Sequence, residues 1–300
     1  MRLPALVLAV LALLVSPALA QRLDNTPRVA VISAFPPEIG ALNAATKDQR
    51  TFDIQGVRFT TGRLEDKPVV VFLSGVSMVN AAMTTQMALD RFNITRIVFS
   101  GIAGGVDETL DIGDVVVADR WAQNMESAFA RETDSGFDVS PSIRNSTVAN
   151  YGMIFPRSII LPSAGGEPET RVWFPTDPIL LKTAAQVAAQ VALQRCAADK
   201  CLIHPPKVVV GGAGVSAPVF LDNAAYRKYL RSAFEARLVD MESAAVAHVA
   251  YVNKTPFIAF RSLSDLAGGG AGANEMHTFM ALASDNSATV VKAFVKALPN

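Results

Sequence analysis

Val239-Asp240-Met241-Glu242-Ser243, with the run Ala244-Ala245-Val246-Ala247-His248-Val249-Ala250-Tyr251-Val252 behind it, carries two carboxylates into the most apolar part of the chain. A helix that is apolar nearly all round is normally buried. Buried carboxylates are costly unless something binds them, and the free N–H groups of a helix N-terminus offset only part of that cost. Just downstream, Pro256-Phe257-Ile258-Ala259-Phe260 reads as a core strand. It runs into Arg261-Ser262-Leu263-Ser264-Asp265, which sets a further acid at the strand's C-terminal end. In open α/β sheets that end is where ligands bind.

The upstream half repeats the pattern. Arg28–Phe35 reads as a buried first strand, stopped by Pro36-Pro37, and Glu38 begins a helix, with Pro and an acid in its first turn as start signals. Gly56–Arg63 and Pro68–Leu73 are two strands joined by a polar turn, and the second ends in Ser74-Gly75-Val76-Ser77. A helix is expected from Val79 to Phe92, then a buried strand at Arg96–Ser100 closed by the Gly-rich turn Gly101–Gly105, then a strand at Asp114–Ala118. Trp121–Thr176 is polar and Pro-rich. It reads as a long loop region with short strands near Met153–Phe155 and Ser158–Leu161, of the kind often used as a lid or dimer contact. Further elements follow: a helix over Pro178–Gln194, a strand at Lys207–Gly212, a helix over Ala224–Phe234 capped by Asp222 or Asn223, and a last helix over Asn286–Ala297. Strands, Gly-rich turns and helices in this order predict an α/β fold with a buried sheet. The Gly-rich turns match neither the dinucleotide fingerprint nor the P-loop, so no nucleotide cofactor is expected.

The 300 residues are half hydrophobic and carry 27 basic and 27 acidic side chains, a balance that gives no reason to expect nucleic acid or an acidic membrane as partner. Residues 1–20 read as a cleaved secretory signal peptide: Arg2, an apolar run from Leu3 to Val15, and Ala18-Leu19-Ala20 as the cleavage site. Residues 21–300 then form a single domain. Cys196 and Cys201 are expected to close a small local disulfide in an oxidising compartment. Two cysteines with one nearby histidine, His204, make a poor metal site, so no metal is expected. Asn93, Asn145 and Asn253 head glycosylation sequons.

Glu38, Glu242 and Asp265 stand at comparable places, two after strands and one at the head of a helix. If the strands are parallel neighbours, the three acids converge at one sheet edge. Acids in one cleft suit cleavage of a glycosidic bond, one protonating the leaving group and another activating water. Singly, each acid also fits a structural role at a helix end or turn.

Five motifs, in order, carry a resemblance. They are Ile32-Ser33-Ala34-Phe35-Pro36-Pro37-Glu38, Ser74-Gly75-Val76, Ser100-Gly101-Ile102-Ala103-Gly104-Gly105 with Ile112-Gly113-Asp114-Val115-Val116, Val239-Asp240-Met241-Glu242-Ser243, and Arg261-Ser262-Leu263-Ser264-Asp265-Leu266-Ala267. From Arg28 to the C-terminus the chain resembles the nucleoside phosphorylase/nucleosidase superfamily, and within it the methylthioadenosine/S-adenosylhomocysteine nucleosidases. Its signal-like start, long middle segment, paired cysteines and Gly214–Asn223 are also similar to secreted plant proteins related to bark and vegetative storage proteins.

The resemblance implies a three-layer α/β/α fold with a mixed, partly closed central sheet, a homodimer, no cofactor and a purine nucleoside as small-molecule partner. It further implies that Glu38 activates water and that Asp265, held by Ser264, protonates the purine. Glu242 would bind the ribose hydroxyls with Met241 packed on the sugar. Ser74, Ala103 and Gly104 would line the ribose and base sites, Phe220 would stack on the base, and Asp240 would be a supporting acid at the pocket wall. Gly214–Phe220 departs from the nucleosidase base-pocket segment, and Pro36-Pro37 replaces two acids. A phosphorylase needs cations for phosphate, and no Arg stands in Ser74–Ser77 or soon after Glu38, which favours hydrolysis. Three readings remain: a secreted purine-nucleoside hydrolase, a phosphorylase, and a storage or binding protein on the same fold.

Overall fold

The computed structural model describes residues 22–143, 147–163, 165–197 and 200–299. The expected signal peptide and the Asn145 sequon lie outside these residues. Among them, a mixed twelve-stranded sheet is the centre of the fold. Its strands are β1 (Asp24–Ser33), β2 (Lys47–Ile54), β3 (Val57–Leu64), β4 (Lys67–Leu73), β5 (Phe92–Gly105), β6 (Val115–Val117), β7 (Arg120–Gln123), β8 (Trp173–Pro175), β9 (Val208–Val210), β10 (Ala213–Ser216), β11 (Ala236–Asp240) and β12 (Phe257–Asp265). The helices are α1 (Pro36–Ala45), α2 (Met78–Arg91), α3 (Pro178–Ala188), α4 (Ala224–Phe234), α5 (Ser243–Val252) and α6 (Met276–Ala297). The main order is β8-β7-β10-β11-β5-β1-β4-β3-β2, with β12 on β5 and β6, and β9 on β6.

The period-two alternation of strand side chains builds the layers. Ala30, Ile32, Val70, Phe72, Ile97, Phe99, Phe257 and Ala259 pack on one face with α2 and α5. Their immediate neighbours Val29, Val31, Val69, Val71, Val98, Ile258 and Phe260 pack on the other with α1, α3 and α6. Strands buried on both sides read as continuous apolar runs, as β1, β4 and β12 do.

Strand β5 organises the site. Strand β1 pairs with it in parallel as far as Ile32↔Phe99, and β11 pairs antiparallel from Val239↔Gly104. Strand β12 runs parallel along the other edge. The parallel arrangement expected for the acid-bearing strands therefore holds for β1, β5 and β12, whereas β11 is antiparallel to β5. The Gly101–Gly105 segment is not a turn but the second half of β5. Its glycines serve close approach: a Cβ on Gly101 would collide with Arg261 Nη1 and Glu38 Oε1.

The middle segment is more regular than its composition suggests. Strands β7 and β8 pair antiparallel and join the main sheet, anchored by the fully buried Trp121 and Phe174. Between them, 127–129 pairs with 154–156, 131–133 with 136–138, and 159–161 with 169–171. Helix α3 stops at Ala188, short of the expected Gln194. Helix α6 begins ten residues before the expected Asn286. Its buried face includes the polar Ser284, Asn286 and Ser287, which interrupt the apolar pattern. Asn286 bonds both backbone groups of Gln194, and Ser287 Oγ donates to Phe260 O at 2.9 Å. Strand β2 has no buried residue and so left no alternation to read. Cys196 and Cys201 are joined by a disulfide within a two-residue-per-strand hairpin.

Candidate active site

Between the last β1 pair and the first β11 pair, one edge of β5 has no strand partner, and the Glu38 carboxylate occupies that gap. Glu38 is the third residue of α1, behind Pro36-Pro37. Its Oε1 accepts from Ile102 N at 2.8 Å, and its Oε2 accepts from Ala34 N at 2.6 Å and Phe35 N at 3.4 Å. A strand-edge amide is thus satisfied by a side chain, as buried backbone requires.

Arg261 answers the question of why acids enter the core. It follows Phe260 on β12, so alternation turns it to the α2/α5 face, where its guanidinium lies 4.0 Å over the Phe99 ring. It is fully buried. Its Nε is 2.8 Å from Asp240 Oδ2, Nη1 is 3.6 Å from Glu38 Oε1, and Nη2 is 3.5 Å from Glu242 Oε2. Asp240 also accepts from the hydroxyls of Ser216 and Ser243 and from the backbone N–H of Glu242 and Ser243. Glu242 stands at the N-cap position of α5, and its Oε1 accepts from Ser77 N at 2.8 Å rather than from the helix. Three carboxylates around one guanidinium cannot all stay charged cheaply. Burial pushes Glu38 up, against the pull of Arg261 and three backbone N–H groups. Burial also lifts Glu242 to about 7, with Arg261 opposing and Asp240 adding to the rise. Near neutrality Glu242 is therefore protonated part of the time.

Asp265 has a different setting. Its Oδ1 accepts from Ala267 N at 2.8 Å and Asn274 Nδ2 at 3.4 Å, and its Oδ2 accepts from Ser264 Oγ at 3.0 Å. No cation pairs with it among the described residues. Burial raises its pKa, the hydrogen bonds from Ala267, Ser264 and Asn274 lower it, and the charge of Asp222 raises it.

These groups share one cavity of about 340 Å³, within the range of small-molecule sites. Glu38, Ala103, Gly104, Phe220, Asp240, Met241, Glu242, Ser264 and Asp265 all line it. Phe220 is 54% exposed at its mouth. Ser74 is not on the lining: it is buried, and its Oγ donates to Gly75 O at 2.9 Å. Cys196 and Cys201 lie in their hairpin, away from the lining. Sequence reasoning gave no role to Arg261 or to Met276, His277 and Met280, which add to the cavity wall from α6. Arg261 was findable, because an arginine inside an apolar strand needs buried acids as partners. The α6 residues were not, because the helix start was misplaced. Among the described residues no group of His, Cys, Asp and Glu is arranged to hold a metal ion.

Residues 28–296 match the phosphorylase superfamily model. The chain is 30% identical over 271 residues to the 5′-methylthioadenosine/S-adenosylhomocysteine nucleosidase of Staphylococcus epidermidis, covering 90% of this chain and all of that protein. It is 28% identical to bark storage protein A of Populus deltoides over 86% of this chain and 83% of the relative. Among solved structures, it is similar to the nucleosidase of Neisseria meningitidis in complex with methylthio-immucillin-A (TM-score 0.68, 26% identity, 90% of this chain and 99% of that one). It is also similar to the Colwellia psychrerythraea nucleosidase in complex with adenine (TM-score 0.69, 25% identity, 90% and 95%). A cleft of acids at the end of a mixed sheet, matched along nearly its whole length in sequence and in fold, makes this chain a member of the phosphorylase superfamily, of the methylthioadenosine/S-adenosylhomocysteine nucleosidase-like kind.

Proposed function

We propose that the protein is a nucleosidase that hydrolyses the N-glycosidic bond of a purine nucleoside. The observation that carries this reading is the division of charge in the cavity: three carboxylates tied to Arg261 at one end and the cation-free Asp265 at the other. Asp265 delivers its proton to the purine N7, which draws electrons from the bond to C1′. Glu242 accepts from the ribose hydroxyls, and Met241 packs on the sugar. Glu38, held against Ile102 N–H, takes a proton from water as the water oxygen bonds to C1′. Free base and ribose product leave, Glu38 gives its proton up to solvent, and Asp265 takes one from it. Phe220 stacks on the base. Ala103 and Gly104, on β5, shape the floor.

Hydrolysis is favoured over phosphorolysis because neither Lys nor Arg lines the cavity among the described residues, and Arg261 is already surrounded by carboxylates. The likeness to bark storage protein A supports a second reading, a storage or binding protein on this fold. The protein is further proposed to be one domain after a cleaved signal peptide, secreted or vacuolar, and to pair as a homodimer. Exposed Val76 at the cavity wall and exposed Val79 and Met83 on α2 offer such a pair an apolar surface. N-terminal sequencing of protein from a secretory host, expected to begin at Gln21, tests the processing.

The activity is tested by incubating the mature protein with methylthioadenosine, adenosine, inosine and guanosine, with and without phosphate, and following free base. Base release without phosphate is expected. Dependence on phosphate would move the assignment to a phosphorylase, and no release from any of the four would leave binding or storage.

A further inference from the structure

Of the two candidate caps of α4, Asp222 and Asn223, Asn223 is the one that serves, its Oδ1 accepting from Tyr226 N at 2.9 Å. Asp222 is left exposed and free for another task. Its Oδ1 accepts from Asn274 Nδ2 at 3.1 Å, and the same Nδ2 reaches Asp265 Oδ1 at 3.4 Å. The orientation of that amide is fixed, because Asn274 Oδ1 accepts from Met276 N at 2.9 Å in the first turn of α6. The two N–H bonds of Nδ2 therefore face two carboxylates.

The backbone holds these pieces together. Asn223 N donates to Ala267 O at 3.3 Å. Gly268, at φ +87°, lies so close that a Cβ there would collide with Asn223 N and the Asp222 carbonyl carbon. The turn that bears Asp222 is thus seated on the turn that follows Asp265.

We propose that Asp222 and Asn274 are a positioning pair for the proton donor: Asn274 and Ala267 N–H occupy Asp265 Oδ1, so the transferable proton resides on Oδ2 beside Ser264, and the Asp222 charge holds it there. This inference rests on the reading of Asp265 as the acid. An oxygen that already accepts two N–H bonds is a poor place for a proton, whereas Oδ2 meets only a hydroxyl that can rotate to accept as well as donate. A like charge near a carboxyl group disfavours its ionised form. Burial is the main cause that raises Asp265, and the Asp222 charge adds to it against the three hydrogen bonds that favour ionisation. The other titratable groups on the cavity are Glu38, Asp240, Glu242 and His277. The cation Arg261 is held by the first three. Arg227 of α4, beneath the turn, donates from Nε to Gly105 O at 2.9 Å.

The test is the titration of Asp265 itself, followed by carboxyl-carbon NMR on aspartate-labelled protein and assigned by its loss in Asp265→Asn. In Asp222→Asn the Asp265 pKa should fall by about half a unit to one unit, the size expected for loss of one nearby like charge in a partly solvated site. Asp222→Glu should restore it. In Asn274→Ala it should rise instead, and simple damage to the fold would not produce opposite shifts. An Asp265 titration that coincides in the wild type and Asp222→Asn would overturn the proposal. In parallel, the alkaline limb of kcat/KM for methylthioadenosine should move down with Asp222→Asn, and Asn274→Ala should lower kcat about tenfold with KM within about twofold. A wild type that releases no base would remove the hydrolase reading, while the NMR titration would still decide the role of Asp222.

Discussion

The two ends of the cavity treat a carboxylate in opposite ways. At one end, Glu38, Asp240 and Glu242 share the buried Arg261, and each also takes backbone N–H bonds. At the other, Asp265 has two N–H bonds, one hydroxyl and a neighbouring acid, and no paired cation among the described residues. The first arrangement offsets part of the cost of negative charge inside the protein, so that in the proposed mechanism its carboxylates bind hydroxyls and activate water. The second, by burial without a cation, favours the protonated form that the proposed mechanism uses. In the proposed mechanism one cavity thus holds an acid and a base, because Arg261, the cation that reaches the carboxylates of the cavity among the described residues, stands at one end.

The comparison can be broken most directly at its cation. Arg261→Met leaves three buried acids unpaired and is expected to destabilise the protein by about 3–5 kcal/mol, read as a shift of the urea midpoint. A loss below about 1 kcal/mol would mean that the carboxylates are already neutral without it. The other end should respond in activity rather than stability. Asp265→Asn is expected to lower turnover on purine nucleosides at least about a hundredfold, equal to about 2.7 kcal/mol of barrier, with little change in the urea midpoint. An unchanged rate would remove Asp265 from the acid role.

The raised Glu242 gives the apoprotein a pH signature. Because Glu242 is raised from 4.5 to about 7, the folded state binds more proton than the unfolded state between those values. Stability is then highest below pH 4.5 as far as this group is concerned, and falls as pH rises toward 7, by on the order of 1 kcal/mol per pH unit. Unfolding by urea at a series of pH values should show that decline, and Glu242→Gln should flatten it. An equal slope in the variant would place the proton elsewhere in the cluster. The smallest effect is expected at the mouth: Phe220→Ala should raise KM by up to about tenfold, the worth of one aromatic contact, with kcat and stability nearly unchanged. A fall in kcat instead would show that Phe220 acts in the chemical step.

How much of this was legible depends on the element. The buried strands β1, β4 and β12 and helices α2, α4 and α5 announced themselves by period and by caps. Strand β2 did not, since an exposed edge strand has no apolar face to alternate. Strands β7 and β8 were hidden because each is short and set in a polar, Pro-rich segment, and only their pairing gives Trp121 and Phe174 a core to enter. The Gly101–Gly105 run looked like a turn because its small residues signal backbone freedom, when Gly101 leaves room for Arg261 and Glu38, and Gly104 and Gly105 for the residues around Asp265.

Sequence by itself determined the α/β class, the family and the acids worth watching, because motifs and hydrophobic period are local properties of the chain. What it left undecided was how those acids differ. Glu38 and Asp265 stand more than two hundred positions apart, and their side chains carry the same group. The packing of β12 against β5 puts Arg261 beside one, and the seating of the Asp222 turn on the Ala267–Gly268 turn puts Asn274 and a second acid beside the other. Charge and proton location depend on distances of a few ångströms between residues far apart in the chain, and only the tertiary structure sets those.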